Sequence, residues 1–253
     1  EISILRTIAP RLVDTLKDRD LVELGSGDCS KISVLLEALS SEDLDSIRYM
    51  PVDISKTAIL KSASLLSEKY PELSIYGIHA DFLHHLTSFP VGSNRMLCFF
   101  GSTLGNFSHD DASRILHDLK DSMQPGDEFL LGLDMIKDIK VLEDAYNDKQ
   151  GITAEFNKNI LRVVNHYAKT DLDPGHFEHL AFYNEEKARI EMHLKARRDL
   201  EISSVLWNDN ISIRRGETIH TENSHKYSRE HIRDFSKNSG WEIADIYTDP
   251  REW

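Results

Sequence analysis

The chain has 253 residues, enough for one large domain or a main domain carrying a smaller one. Hydrophobic residues at 40% and charged residues at 29% fall in the ordinary globular range, which excludes a disordered, collagen-like or low-complexity chain. The balance of 30 Lys and Arg against 43 Asp and Glu gives a net charge of −13, with no basic run longer than the pairs Arg197-Arg198 and Arg214-Arg215, and this argues against a nucleic-acid partner.

No apolar stretch approaches the roughly 18 residues of a bilayer span, and the opening EISILRTIAP lacks a basic segment followed by an apolar one. The expectation is a soluble, cytoplasmic protein without a membrane partner. Cys29 and Cys98 lie in apolar segments without a CxxC pair and read as reduced thiols. Glu1 stands where a Met would open a chain, and Ile2, Leu5 and Ile8 already form one face of a helix, so residues beyond the ends are expected.

After that opening helix, Leu21 to Leu24 reads as a strand ending in Gly25-Ser26-Gly27, and Lys31 to Leu39 as a helix. Ile47 to Val52 is a second strand, ending at Asp53, followed by a helix from Thr57 to Tyr70. Ser74 to His79 is a third, ending in Ala80-Asp81-Phe82, and Met96 to Phe100 a fourth, ending in Gly101. Asp110 to Met123 is a helix closed by Pro125-Gly126, and Phe129 to Leu133 a fifth strand, ending at Asp134. Strands alternating with helical patterns point to βαβ units and a parallel sheet. From about 136 to 226 the rhythm changes: helices at Val141 to Tyr146 and Ala154 to Ala168 give way to strands at His193 to Ala196 and Ser203 to Trp207, a turn at Asp209-Asn210 and a return strand at Ile211 to Arg215. A helix capped by Ser228 and Gly240 and a strand from Trp241 to Tyr247 close the chain.

Three strand ends carry chemistry. Glycine lets a backbone approach a nucleotide-like ligand closely, although the pair Gly25 and Gly27 is explained as well by a turn that needs positive φ. Asp53 places a carboxylate where a ribose could present its hydroxyls, with a turn acid as the plainer reading. Asp81 and Phe82 offer a carboxylate for an exocyclic amine and a ring for stacking. Ser30 stands where the dinucleotide fingerprint needs its third small residue, and no Gly-Lys-Ser/Thr phosphate loop exists. The loop Glu23-Leu24-Gly25-Ser26-Gly27-Asp28 resembles the acidic glycine loop of class I S-adenosylmethionine methyltransferases, whose cofactor carries an amino-acid tail and no phosphate.

Downstream, Gly101-Ser102-Thr103-Leu104-Gly105-Asn106-Phe107, Ala145-Tyr146-Asn147-Asp148, and Gly151 to Asn157 resemble the histidine-specific Nα-methyltransferase family of ergothioneine biosynthesis. So do Phe177-Glu178-His179, Arg189-Ile190-Glu191-Met192 and Thr221-Glu222-Asn223-Ser224-His225-Lys226-Tyr227, and the similarity runs over nearly the whole chain. The resemblance implies an α/β fold, a Rossmann-like class I methyltransferase sheet over 1–135 and 227–253, with an inserted smaller α+β substrate-binding domain at 136–226. It implies S-adenosyl-L-methionine as cofactor and conversion of L-histidine, by three methylations of its α-amino nitrogen, into hercynine. Gly25, Lys31, Asp53, Asp81 and Phe82 match cofactor residues, with Ser26, Gly27 and Gly101 beside them. Asn106 matches the residue that holds the substrate amine, and Tyr146 one of two tyrosines on its carboxylate; the other lies, in the family, N-terminal to anything in this chain. Glu222 and Ser224 match the imidazole grip, and Thr153, Phe156 and Met192 the lining of that pocket. By spacing alone Glu222 and Ser224 read more readily as surface residues of an edge strand, and only the resemblance reverses this.

Alternatives stay open. A relative that methylates another amino acid amine, such as a tryptophan derivative, is the nearest, with Glu222 and Met192 counting against a bulkier bicycle. A non-catalytic nucleotide-binding module is the rival from another class, and a nicotinamide oxidoreductase fits the acidic loop poorly. Among the 12 histidines, no HExxH occurs, His84 and His85 are adjacent, and His176 and His179 read as a loop running into a helix, so no metal is expected. Ser102 lacks the Gly-x-Ser-x-Gly of a nucleophile elbow.

Overall fold

The computed structural model describes residues 1–85, 94–208 and 210–251. They form two compact units, residues 1–135 with 227–253 and residues 136–226. No helix among the described residues is long and apolar enough to cross a membrane.

The first unit is built on a parallel sheet. Its strands are β1 (Asp20–Leu24), β2 (Arg48–Asp53), β3 (Ser74–Ile75), β4 (Ile78–His79), β5 (Arg95–Phe99) and β6 (Glu128–Leu131), in the order β3-β2-β1-β5-β6 with β4 also on β2. All five residues of β1 are buried, as expected of a central parallel strand covered on both faces. Alternate residues feed two cores. Leu21, Tyr49, Met96 and Cys98 pack with α1 (Ile2–Leu16) and α2 (Ser30–Leu36). Val22, Leu24, Val52, Leu97 and Phe99 pack with Ala112, Ile115, Leu116 and Leu119 of α6 (His109–Ser122). Cys29 and Cys98 are buried and unbridged, and burial pushes both thiols up.

Two polar contacts lock this sheet. Arg95 and Asp127 are buried together, Nη2 to Oδ2 at 2.6 Å, and the same carboxylate accepts the N–H groups of Arg95 and Gln124 at 2.6 and 2.8 Å. Burial alone would raise the Asp127 pKa, but these hydrogen bonds outweigh it and hold the group below its ordinary value. The Tyr49 hydroxyl donates to Glu23 Oε2 at 2.5 Å across β1 and β2. Burial pushes the Glu23 carboxyl up from 4.5 to about 8, so it is largely protonated at neutral pH.

Several elements depart from the sequence reading. The third strand, expected over Ser74 to His79, is split into β3 and β4. Gly77 lies at the break, where a Cβ would come within 2.4 Å of Ile59 Cγ2 on α4 (Lys56–Lys69), so the close approach requires glycine. A short helix, α3 (Ser41–Ser46), was not anticipated, although Ser40 and Asp43 form the reciprocal capping box that signals one. Another, α5 (Phe82–His85), starts where Asp81 accepts the Leu83 N–H at 2.9 Å. The expected strand from Trp241 to Tyr247 does not form. Trp241 packs on Phe129 and donates Nε1–H to the Leu116 carbonyl at 3.0 Å, whereas Tyr247 joins the core of the opposite sheet face. The segment therefore passes from one face to the other, which a strand alongside β6 could not do. The preceding helix, α9 (Arg229–Asn238), is capped by Ser228 as read, and Gly240 adopts φ +72° behind it.

The second unit contains α7 (Ile139–Tyr146) and α8 (Ile152–Ala168) with an antiparallel sheet of β7 (Phe177–Asn184), β8 (Arg189–Ala196) and β11 (Thr218–His225), in the order β11-β8-β7. A separate pair joins β9 (Leu200–Ile202) to β10 (Ile211–Ile213), with Ile202 opposite Ile211. His179 lies in strand β7, correcting its assignment to a loop before a helix, and His176 ends the 3₁₀ turn that leads in. Ser203 to Trp207 is a turn, not a strand. Ser204 Oγ accepts the Leu206 N–H at 3.0 Å, a local bond that closes a turn in place of a ladder, and itself bonds to the Ala168 carbonyl on α8, while Val205 and Leu206 are left exposed. The turn expected at Asp209-Asn210 includes Asp209, which lies outside the described residues.

The Glu23–Tyr49 pair makes a pH prediction. A carboxyl whose pKa rises from 4.5 to about 8 on folding binds more protons in the native state. Its stabilising contribution is complete below about pH 4.5 and is lost as pH rises through about 8. Glu23→Gln keeps an acceptor for Tyr49 and removes the titration. The stability gap between variant and parent in denaturant melts should widen in the variant's favour by on the order of 1–3 kcal/mol from pH 6 to pH 9; a gap that does not change with pH would refute a protonated Glu23.

Candidate active site

In an open parallel sheet, ligands bind outside the carboxyl ends of the strands where the strand order reverses. Here that point is β1, flanked by β2 and β5. The register sets Leu24 opposite both Val52 and Phe99, so the three strands end level. Past this edge the Val52 carbonyl accepts the Gly25 and Ser26 N–H groups at 2.8 and 3.2 Å, and Gly25 and Gly27 take φ of +65° and +53°. Asp53 braces the loop: Oδ2 accepts the Gly27 N–H at 3.1 Å and Oδ1 the Ser55 N–H at 2.8 Å.

Phe82 stands edge-on to Phe99, with ring centroids 5.3 Å apart, and its Cε1 lies 4.0 Å from where a Cβ on Gly25 would sit. A Cβ on Gly101 would come within 3.2 Å of Lys31 Nζ. A side chain added at Gly25 would thus meet Phe82, and one added at Gly101 would crowd Lys31. The Ser26 hydroxyl is buried there without a hydrogen-bond partner. Asp28, held below the usual carboxylate range by the Ser30 hydrogen bonds, gives the loop a fixed negative charge. Glu1, which sequence reasoning did not single out, accepts the Gly101 N–H at 2.8 and 3.0 Å and approaches Lys31 Nζ at 3.9 Å. A cofactor with a ribose diol, an aromatic base and a zwitterionic tail fits this donor and acceptor set.

Beyond Gly101, Ser102 takes φ +54° and its Oγ accepts the Asp134 N–H at 2.9 Å, which makes it a brace and not a nucleophile. The 3₁₀ turn Thr103–Asn106 follows and leaves the Asn106 side chain exposed at its end.

In the second unit, one irregularity decides which way the side chains point. His220 pairs with His193 and Glu222 with Met192, so Thr221 is an extra residue in β11, pinned by its Oγ1 on the Met192 carbonyl at 2.9 Å. Without this bulge, His220, Glu222 and Ser224 would share a face. With it, Glu222 and Ser224 move to the face of Met192, Ile190, Ala181 and Tyr183, which Leu142 and Tyr146 of α7 cover. His220 stays on the other face, stacked on His193, which in turn stacks on Phe182.

On the covered face, Tyr146 Oη and Ser224 Oγ are 2.7 Å apart. The buried Lys226 donates Nζ–H to Ser224 Oγ at 2.8 Å and to Tyr146 Oη at 3.1 Å, and its Nζ lies 5.0 Å from the Tyr146 ring centroid. Glu222 is partly buried, and its carboxylate makes no hydrogen bond among the described residues. Burial raises its pKa and the charge of Lys226 opposes the rise. Tyr146 is held from behind. His179 Nε2–H donates to the Tyr146 carbonyl at 2.8 Å, and because a carbonyl only accepts, Nδ1 is the acceptor for Asn157 Nδ2 at 2.9 Å. Sequence reasoning missed Lys226 and Asn157 and gave His179 no role; the signal for Lys226 was its spacing of two from Ser224.

Met192 is buried in the same cluster as Tyr146. Thr153 and Phe156 lie in the first turns of α8, where Asp148 accepts the N–H groups of Ile152 and Thr153. Phe156 is exposed, in a stripe with Ile152, Ile160, Val163 and Tyr167, and neither it nor Thr153 has a hydrogen bond to Glu222 or Ser224 among the described residues. On the opposite sheet face, Glu191, His193 and His220 place potential metal-ligand atoms within 4.8 Å of one another. The His193 and His220 rings lie only 10° from parallel, so their in-plane lone pairs cannot converge on one ion. Glu191 is already bonded to Arg189 and Asn184, and although burial would raise its pKa, the hydrogen bonds from Arg189 and His193 and the Arg189 charge hold it at about 2.

The fold resembles a solved S-adenosylmethionine-dependent methyltransferase from Clostridium acetobutylicum, with a TM-score of 0.51 at 10% identity over 97% of this chain and 82% of that one. A histidine N-alpha-methyltransferase of Mycolicibacterium smegmatis is 35% identical over 250 residues, 99% of this chain and 78% of that protein. The histidine N-alpha-methyltransferase of Mycobacterium tuberculosis is 35% identical over 227 residues, 90% of this chain and 70% of that protein. The family described as histidine-specific, SAM-dependent methyltransferase matches residues 1–253. With glycine loops and Asp53 at the level strand ends and this match over the whole chain, the chain belongs to the histidine-specific, S-adenosylmethionine-dependent methyltransferase family.

Proposed function

We propose that this chain methylates the α-amino group of L-histidine with S-adenosylmethionine to give the trimethylated product hercynine, a step of ergothioneine biosynthesis. The observation that carries the choice of substrate is the partly buried Glu222 carboxylate, which has no protein hydrogen bond among the described residues and shares its sheet face with Ser224 and Tyr146. An imidazole needs polar partners at both nitrogens, and a carboxylate two residues from a hydroxyl supplies them. Residues 136–226 are then the substrate-binding domain, inserted into the cofactor-binding one. Incubating L-histidine and S-adenosylmethionine with the protein and weighing the product by mass spectrometry tests this directly: three added methyl groups are expected, and no added mass would overturn it.

When bound, S-adenosylmethionine supplies an electrophilic methyl carbon on a sulfonium. Asp53 would accept hydrogen bonds from the ribose hydroxyls and Asp81 from the base amine, and Phe82 would pack on the base. Gly25, Ser26, Gly27, Lys31 and Gly101 would hold the amino-acid tail. The substrate amine must react as a neutral lone pair, and an α-amino group with a pKa near 8 is mostly protonated at pH 7. Asn106 accepts an amine hydrogen bond and orients the nitrogen while solvent takes the proton, so the chain's contribution is chiefly positioning. Tyr146 holds the substrate carboxylate, and Thr153, Phe156 and Met192 line the ring pocket.

Three outcomes follow from these assignments. Asp53→Ala should weaken cofactor binding by about 1.5–3 kcal/mol in calorimetry, the scale of hydrogen bonds to a charged acceptor; unchanged affinity in a folded variant would move the ribose elsewhere. Asn106→Ala should lower kcat far more than cofactor affinity, and equal losses would mean a structural role for Asn106 in its turn. Glu222→Ala should cost histidine about 1–3 kcal/mol in kcat/KM and leave tryptophan unaffected or improved, with Met192→Val adding room for the bicycle. A histidine-to-tryptophan ratio that stays constant across these variants would remove Glu222 from substrate reading.

A further inference from the structure

We propose that Lys226 is a positioning residue that fixes Ser224 and Tyr146 as hydrogen-bond donors toward the substrate, so that the site accepts one neutral tautomer of the imidazole, with its N–H on Glu222 and its lone pair on Ser224. This rests on the reading that the imidazole sits between Glu222 and Ser224.

An ammonium has three donors and no acceptor. Lys226 Nζ therefore uses a lone pair on Ser224 Oγ, 2.8 Å away, and one on Tyr146 Oη, 3.1 Å away. In the structure the Tyr146 hydroxyl also donates to Ser224 Oγ at 2.7 Å, so both lone pairs of Ser224 are occupied and only its proton is left for a ligand. When a substrate carboxylate draws the Tyr146 proton to itself, one lone pair of Ser224 Oγ is released, but the ammonium still takes a lone pair of each oxygen, and its charge on that side turns both hydroxyl protons toward the substrate. Ser224 thus meets a ring nitrogen that carries a lone pair. Glu222, acceptor-only when ionised, meets the nitrogen that carries hydrogen, and the Lys226 charge favours that ionised form against the effect of burial. A doubly protonated imidazolium would set an N–H against that proton and bring a second positive charge toward Lys226, so the neutral ring is favoured.

Lys226 is itself placed by the bulge. Counting from Glu222, residues 222, 224 and 226 fall to the same side of the extended chain, and the backbone N–H of Lys226 is tied to the Ala188 carbonyl at 2.8 Å. The side chain is buried, as its pairing with two hydroxyls requires.

The test is a mutant cycle on histidine affinity, measured by calorimetry with the whole chain saturated with S-adenosylhomocysteine so that no turnover occurs. Lys226→Met should weaken histidine binding by about tenfold or more, with affinity for S-adenosylhomocysteine unchanged. In a background carrying Ser224→Ala and Tyr146→Phe, the same change should cost no more than about threefold, because Lys226 acts through those hydroxyls. Lys226→Gln retains N–H donors and should lose less than Lys226→Met; it supplies the same cycle should the Met variant not fold. Histidine affinity that is unchanged by both substitutions, or losses that multiply in the combined background, would overturn the proposal. Absence of histidine binding by the parent protein would instead overturn the substrate reading on which it rests.

Discussion

The first unit depends on one constraint, the common register of β1 with both of its parallel neighbours. Because Leu24 lies opposite Val52 and Phe99, three chain segments leave the sheet at the same height, and Gly25, Asp53 and Gly101 arrive together although they are far apart in sequence. A shift of one residue in either pairing would turn every side chain of a strand to the wrong core and would also separate these loops. The polar locks serve the same end. Tyr49 ties β2 to β1 through a protonated Glu23, and Arg95 anchors the start of β5 to Asp127 in the turn that leads into β6.

In the second unit a local irregularity does comparable work. The sheet has a face covered by α7 and a face carrying the stacked rings of Phe182, His193 and His220. Thr221 inserts half a period into β11, and this alone brings Glu222 and Ser224 onto the covered face. There they meet a tyrosine whose main chain is fastened by His179 and Asn157, so the hydroxyl is located by a chain of hydrogen bonds that begins on α8. The carboxylate, the two hydroxyls and the ammonium form a polar group in which the hydroxyls and the ammonium satisfy one another and the carboxylate awaits a donor.

The two units place their polar groups by different means. In the first, the loop N–H groups of Gly25, Ser26, Gly27 and Gly101 are paired within the protein, which fixes the loops at the strand ends and leaves side chains and glycine-made space facing outward. In the second, side chains of opposite hydrogen-bonding polarity, Glu222 and Ser224, stand two residues apart on one strand. The acidic balance of the whole chain, net −13, fits substrates that carry no phosphate.

Much of the first unit was legible in the sequence. Short apolar runs that end in glycine or aspartate, alternating with helical patterns, identify a parallel sheet because the period of hydrophobicity and the turn chemistry are local properties. The motifs around Gly25, Asn106, Glu222 and Lys226 carried the family resemblance. The sequence could not show that Ser74 to His79 is interrupted at Gly77, where the Ile59 side chain of another element leaves no room for a Cβ, nor that Trp241 and Tyr247 serve opposite cores without a strand between them. Nor could it show which face Glu222 occupies. Alternation read along Thr218 to His225 puts Glu222 with His220, and only pairing with β8 reveals the extra residue that separates them. Periodicity and turn residues are written within a few positions of chain, whereas a bulge exists only relative to a partner strand and a donor's direction only relative to the groups around it, so tertiary structure alone decided how Glu222, Ser224, Tyr146 and Lys226 came to share one site.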